Sequence, residues 1–294
     1  MSSNPGTMAL PDASGVERRL QYQALERTRS MRVRQQTGIA VGRAVLVAAI
    51  LMTWALASGR WVDAQSISDP LSTAAAIVEL IKTGRLWPQL WRTVSEVFAG
   101  YFAGAILATA AAFAFALAPG AERVLRPFVL ALYSIPKVAL APLVVMWFGL
   151  GIAPKIILAG MFVFFIVFMN ALAGIGNVNA DHVRIVRVMG ASRLAVMRKV
   201  VFPTMTPFLI LGLRVSIPEA MTGAVIGEFI SANSGLGYLV YSASNELNTA
   251  VSLAALIVLV FVVAVADFLL GLLERLLPWQ PTQSGTARTG LRPR

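Results

Sequence analysis

Six long apolar runs leave this chain few folds to choose from. They lie at about 39–58, 96–118, 128–150, 156–176, 206–230 and 250–271. At 1.5 Å of rise per residue, helices of roughly 20 to 25 residues cross a hydrocarbon core about 30 Å thick. A segment in lipid must satisfy its own backbone polar groups, so such runs specify helices. With 57% hydrophobic and only 13% charged residues, the composition is that of a polytopic membrane protein. The expected fold is all-α, with six transmembrane helices.

Lys and Arg set the orientation. Six arginines precede the first span and five basic residues lie between the fourth and fifth, whereas 231–249 carries none. Basic loops stay on the cytoplasmic side, so both termini and the 177–205 loop are expected there. This placement also accounts for the net charge of +11 without nucleic acid, because basic flanks face anionic lipid. The chain divides into a basic cytoplasmic tail (1–38), a first span with the start of an outer loop (39–65), a core (66–275) and a C-terminal cytoplasmic tail (276–294). The tail GVERRLQYQALERTRSMRVRQQTG is either an amphipathic helix on the inner membrane face or a flexible basic flank. No short basic-apolar leader with a small-residue cleavage site is present, so an uncleaved N-terminus is expected.

The outer segment has its own signals. In SISDPLSTAAAIVELIKTG, Asp69 is placed to cap a helix, Pro70 to begin it and Gly84 to stop it. Trp61, Trp87 and Trp91 flank it, and indole rings favour the membrane interface. A short helix lying against the outer leaflet is expected, with a solvated loop helix as the alternative.

Several chemistries are missing from the sequence. There is no cysteine, and His182 is the single histidine. No G-x-x-x-x-G-K-[ST] phosphate loop or G-x-S-x-G elbow occurs, and the carboxylates do not cluster as metal ligands do. The chain is therefore not expected to be an enzyme or to hold a metal or cofactor of its own.

The unusual residues lie inside the spans. In YSIPKVALAPLVVMWFG, Pro136 and Pro142 interrupt the third run, and Lys137 sits deep within it. A charge at that depth costs a few kcal/mol, so Lys137 should face protein or a water-filled path rather than lipid. In RVSIPEAMTGAVIGEFI, Pro218 is expected to break the fifth span between Arg214 and Glu219, with Glu228 further along. Arg214 and Glu219 are either an ion pair or, with Lys137, part of a translocation path. Asp267 falls toward the inner end of the sixth span. In the second span Gly100, Gly104 and Ala108 recur every fourth residue, a groove that admits another helix of this chain or of a neighbouring subunit.

The longest internal cytoplasmic loop contains RIVRVMGASRLAVMRKVVFPTMTP, residues 184–207. Apolar residues recur near helical spacing at Val183, Val186 and Met189, and again at Leu194, Met197 and Val201. Gly190 should separate two short helices and Pro203 should end the second before the fifth span. The stretch resembles the signature loop of ABC importer permeases, where Glu-Ala-Ala is followed after three residues by Gly and after nine more by Ile-x-Leu-Pro. Gly190, Ala191, Val200, Phe202 and Pro203 stand at the matching positions, while Arg184, Ile185 and Val186 replace Glu-Ala-Ala. YSIPKVALAPLVVMWFGLG and SGLGYLV look like the taurine, aliphatic sulfonate and nitrate branch of that family.

The resemblance implies a bacterial inner-membrane permease that forms the path for a small solute, an anion of the sulfonate, taurine or nitrate class. It implies two permease copies, two cytosolic ATPase subunits carrying ATP and Mg, and an extracytoplasmic solute-binding protein. In the loop, Gly190 and Pro203 would set the shape and Ala191, Leu194 and Met197 would dock. Arg187 and Arg193 would either pair with acidic groups of the ATPase or form a solvated basic face. A neutral pyrimidine, a riboflavin-type solute, an aromatic carboxylate and an ion-coupled secondary transporter remain as alternatives.

Overall fold

The structure, a computed structural model, describes residues 37–39, 41–60, 63, 66–231 and 233–276. The basic N-terminal tail up to residue 36, Trp61 and the C-terminal tail from 277 lie outside them. The chain divides into two units, Met1–Ala64 and Gln65–Arg294. The first holds one apolar helix, α1 (Thr37–Ala57), long enough to cross a membrane.

The second unit starts with α2 (Pro70–Lys82), whose ends follow the sequence signals. The Asp69 carboxylate accepts the Leu71 and Ser72 amides at 2.9 Å each, and Pro70 occupies the first turn, where its missing N–H costs nothing. Beyond Lys82 the chain turns through Gly84 at φ +71°. The buried face of α2 is Thr73, Ala76 and Leu80, with Leu80 packing near Leu236 and Leu239.

Helix α3 (Leu86–Leu117) begins ten residues before the expected start at 96. The apolar run marks only the lipid-length part of a helix that extends through Trp87, Trp91, Arg92 and Glu96. The third apolar run is not one straight span. It forms α4 (Pro119–Ser134), a short 3-10 turn at Lys137–Leu140 and α5 (Ala141–Phe148), and the two arms meet at 83°. Ile135 is extended, as a residue before proline must be, and Pro136 turns the chain, whereas Pro142 only fills the first turn of α5.

The remaining elements are α6 (Ala153–Gly176), α7 (Ala180–Val188), α8 (Arg193–Val196), a π turn at Met197–Val201, α9 (Phe202–Ser231), α10 (Leu236–Asn245) and α11 (Thr249–Leu276). Among the described residues five helices are long and apolar enough to span, and six if the bent pair counts as one. Two expectations fail here. Pro203 does not end a helix: α8, the π turn and α9 run on as one 39-residue segment, Arg193–Ser231. The wider π turn lies directly ahead of the proline ring, where an α turn would clash. Pro218 does not break α9 either. In that region the Leu213 carbonyl accepts the Tyr101 hydroxyl at 2.9 Å, and the Pro218 carbonyl accepts the Thr222 hydroxyl at 3.0 Å.

Helix α6 is the centre of the second unit, packed between α3 and α9. Its Val163, Val167 and Phe168 meet Ala105, Ala108 and Ala112 of α3 and Met205 and Leu209 of α9. The small-residue stripe of α3 is used inside the chain. A Cβ on Gly100 would lie 2.5 Å from the Ala159 Cβ, and one on Gly104 would run into the Gly160 carbonyl.

Candidate functional site

Two regions stand out: an element projecting from the helices, and a polar corner buried among them. The projecting element is built from local rules. Asn179 caps α7 by accepting the Asp181 amide at 2.8 Å, and Ser192 caps α8 by accepting the Ala195 amide at 3.2 Å. Between them Gly190 adopts φ +84°. Its amide donates to the Arg187 carbonyl at 2.9 Å and the Ala191 amide donates to the Val186 carbonyl at 3.2 Å, the paired bonds of a Schellman turn.

The element has an inner and an outer face. Inward, Val183, Val186 and Ala191 pack on buried Val196, Met197 and Val201, together with Phe113 of α3 and Ile175 of α6. Outward stand Ile185, Val188, Met189 and Leu194, with Met189 81% and Leu194 64% exposed, beside exposed Arg187 and Arg193. Met197, expected to dock, is only 3% exposed and anchors the element instead. Helical spacing placed Leu194 and Met197 on one face, but Met197, where the π turn begins, is buried while Leu194 is exposed, so their roles separate.

Among the described residues, Lys137, Arg214 and Glu219 do not pair with one another. Lys137 lies at the bend between α4 and α5, half-buried, its ammonium 4.5 Å from the Tyr133 ring centre, 5.5 Å from Phe165 and 5.9 Å from Phe162. Its nearest acceptor is the Tyr133 carbonyl at 3.4 Å. Arg214 pairs with Asp267 of α11, not with Glu219, through bonds of 3.0 and 3.2 Å. A one-residue step along a helix moves a side chain by about 100°, so Glu219, five residues on, points elsewhere than Arg214 does toward α11. Glu219 is half-buried.

The buried corner was not legible in advance. Lys155 of α6 donates to Glu96 of α3 at 2.9 Å, and Arg92 reaches the same carboxylate at 3.2 Å. Beside them, Glu228 of α9 accepts the Thr93 hydroxyl at 2.6 Å and the Gly237 amide at 2.5 Å. The Thr93 oxygen accepts the Leu236 amide at 2.7 Å, and Gln89 accepts the Gly235 amide at 2.5 Å. Glu96, Thr93 and Glu228 are fully buried. Glu96 and Lys155 look in sequence like span-edge residues, and only the approach of α6 to α3 seals them. A weak signal existed in GEFISANSGLG, which sets a carboxylate just ahead of a glycine-flanked turn.

Comparison with known proteins decides what carries these features. The profile of the family "Binding-protein-dependent transport system inner membrane component" matches residues 100–277. The chain belongs to this family. Among its relatives is an aliphatic sulfonates transport permease of Escherichia coli strain K12, 31% identical over 234 residues, covering 79% of this chain and 89% of that one. The taurine transport permease of the same organism is 33% identical over 195 residues, covering 66% and 71%. The riboflavin transport permease of Chloroflexus aurantiacus is 30% identical over 211 residues, covering 72% and 79%. A bacterial ABC transporter that imports alginate shares the fold at a TM-score of 0.57 and 14% identity, covering 88% of this permease and 99% of that chain. The MetNI methionine ABC transporter, in an inward-facing form, gives 0.56 at 20% identity, covering 65% and 95%. The protein is thus the permease component of an ABC importer and sits in the inner membrane.

Proposed function

We propose that this permease forms the path of an importer for small sulfonates such as taurine and short alkanesulfonates. The observation that carries the reading is its similarity, at 31% and 33% identity over most of the chain, to the sulfonate and taurine permeases. The assembly is a permease homodimer, two ATPase subunits and an extracytoplasmic binding protein. ATP and its Mg bind on the ATPase, and this chain binds no cofactor. Both termini and the Gly190 element face the cytoplasm, and α2 lies on the far membrane surface with Trp87 and Trp91.

The Gly190 element docks on the ATPase through exposed Met189 and Leu194, flanked by Arg187 and Arg193. Two nearly bare apolar side chains on a rigid turn are what a partner cleft would cover. Ala191, Met197 and Pro203 hold the element to the helices behind it. ATPase closure moves it, and the spans alternate access. Lys137 and Glu219 face the solute, with Arg214 braced by Asp267 at the path's edge. Lys137 keeps its charge available because aromatic rings, rather than a carboxylate, surround it among the described residues.

The test is uptake by proteoliposomes holding the permease, its ATPase and its binding protein. ATP-dependent accumulation of labelled taurine or methanesulfonate is expected. ATP-dependent uptake of riboflavin alone would favour the second reading, which rests on the riboflavin relative. Solute flux through the permease alone, driven by an ion gradient, would overturn both.

A further inference from the structure

The first amides of α10 are satisfied by side chains from two other helices. Gly235, Leu236 and Gly237 donate to Gln89 and Thr93 of α3 and to Glu228 of α9. A helix N-terminus normally finds its acceptor in its own preceding residue. Here Gly235, which has no side-chain cap to offer, sits at φ +117°. A Cβ on Gly235 would collide with the Glu228 carboxylate, and one on Gly237 would lie 2.6 Å from its Oε2. The two glycines of SGLG therefore exist to let the carboxylate in.

We propose that Glu228 and Thr93 are positioning residues of the transport cycle, latching α10 to α3 and α9 so that the three helices travel as one rigid corner. The Thr93 hydroxyl does two jobs at once, accepting from Leu236 and donating to Glu228, so it links all three helices through one atom. The lever that reaches this corner is the unbroken run Arg193–Ser231, about 58 Å long at helical rise, with the ATPase-facing element at one end and Glu228 near the other. The neighbouring Lys155–Glu96 pair adds α6 to the same corner. Gly227 leaves no room beyond the Lys155 backbone, 2.9 Å from where its Cβ would stand. Toward the opposite end of α9 the charged tie is Arg214–Asp267, which is 46% and 45% exposed. Opening the corner would strand a buried carboxylate, so the helices pivot about it instead of coming apart through it.

The inference rests on the coupling reading above for the direction of the push and on the sulfonate reading for its transport readout, whereas the label distances depend on neither. The chain has no native cysteine, so paired spin labels are straightforward. Ile230→Cys and Asn245→Cys, both at exposed positions on α9 and α10, report the corner in the full permease–ATPase complex in lipid nanodiscs. The label distance is expected to be the same without nucleotide and with ATP and vanadate. It should broaden in Thr93→Val, and Thr93→Ser, which keeps the hydroxyl, should restore it. Taurine moved per ATP hydrolysed should fall about tenfold in Thr93→Val and Glu228→Gln, the effect of one hydrogen bond to a charged group.

A label distance that shifts over the nucleotide cycle in the unsubstituted corner overturns the proposal. So does a Thr93→Val protein with an unsubstituted taurine-to-ATP ratio, or a Thr93→Ser protein as impaired as Thr93→Val. Failure of an ATPase to co-purify defeats the coupling reading alone. The narrow label distance in the isolated permease, and its broadening in Thr93→Val, still decide the latch.

Discussion

Lys155 Nζ lies 2.9 Å from Glu96 Oε1, and the two side chains are 2% and 0% exposed. The pair joins the first turn of α6 to α3. A buried pair adds little against an apolar replacement of the same shape, but breaking it from one side leaves an uncompensated charge.

Removing one partner should therefore cost far more than removing both. Glu96→Leu alone, which strands the buried Lys155 ammonium, is expected to lower stability by about 3–5 kcal/mol, and Glu96→Leu with Lys155→Met together by much less. Thermal unfolding of the purified permease in detergent measures this. Single and double variants of equal stability would sink the argument.

The Arg214–Asp267 pair bridges α9 and α11 with both side chains about half exposed. Arg214→Ala should destabilise modestly, and exchanging the charges, Arg214→Asp with Asp267→Arg, should recover most of the loss. The coupling energy in a double-mutant cycle is expected to be about 1 kcal/mol.

Gly104 has no space for even a methyl group, because the Gly160 backbone occupies it. Gly104→Ala should destabilise by about 1–3 kcal/mol through forced separation of α3 and α6. An unchanged melting temperature would show that the two helices do not pack as described.

At Gly190 the obstacle is conformational, since φ is +84° while nothing lies within 4 Å of a Cβ. Co-purification of the ATPase should decline in the order Gly190→Asn, Gly190→Ala, Gly190→Pro, with the alanine penalty about 1 kcal/mol. In the same assay Leu194→Asp should abolish binding without lowering the melting temperature. Met197→Asp should lower the melting temperature itself, because Met197 is buried.

Asp69 supplies the pH-dependent element. The Ser72 hydroxyl, then the Ser72 and Leu71 amides, hold its carboxyl below the ordinary value of 3.8. A group depressed in the folded state stabilises fully above its unfolded pKa and loses that contribution as pH falls through the folded one. The protection of the Leu71 and Ser72 amides, exchange rate taken relative to the intrinsic rate at each pH, should therefore be level above about pH 5 and fall away below 3.8. Asp69→Ala should remove the pH dependence and leave exchange several-fold faster throughout.

Much of the architecture is written locally. The Asp69 cap, the Pro70 start, the Gly84 stop and the Gly190 turn each depend on residues within one helical turn, so the chain alone specifies them. Proline was the misleading signal. Pro136 turns the chain by 83° between two arms, Pro203 and Pro218 ride inside a continuous helix, and nothing within a few residues distinguishes the cases. At Pro203 the helix accommodates the ring by the π turn directly ahead of it.

The sequence by itself determined the membrane-spanning helical class and the family, because hydrophobic length and the Gly190-to-Pro203 spacing are properties of order along the chain. Tertiary structure alone decided which charges meet. Glu96 with Lys155, and Glu228 with Thr93 and Gly237, are set by how closely glycines let α3, α6, α9 and α10 approach, and Arg214 with Asp267 by how α9 lies against α11. Electrostatic energy depends on distance and burial, and neither quantity exists until the helices have packed.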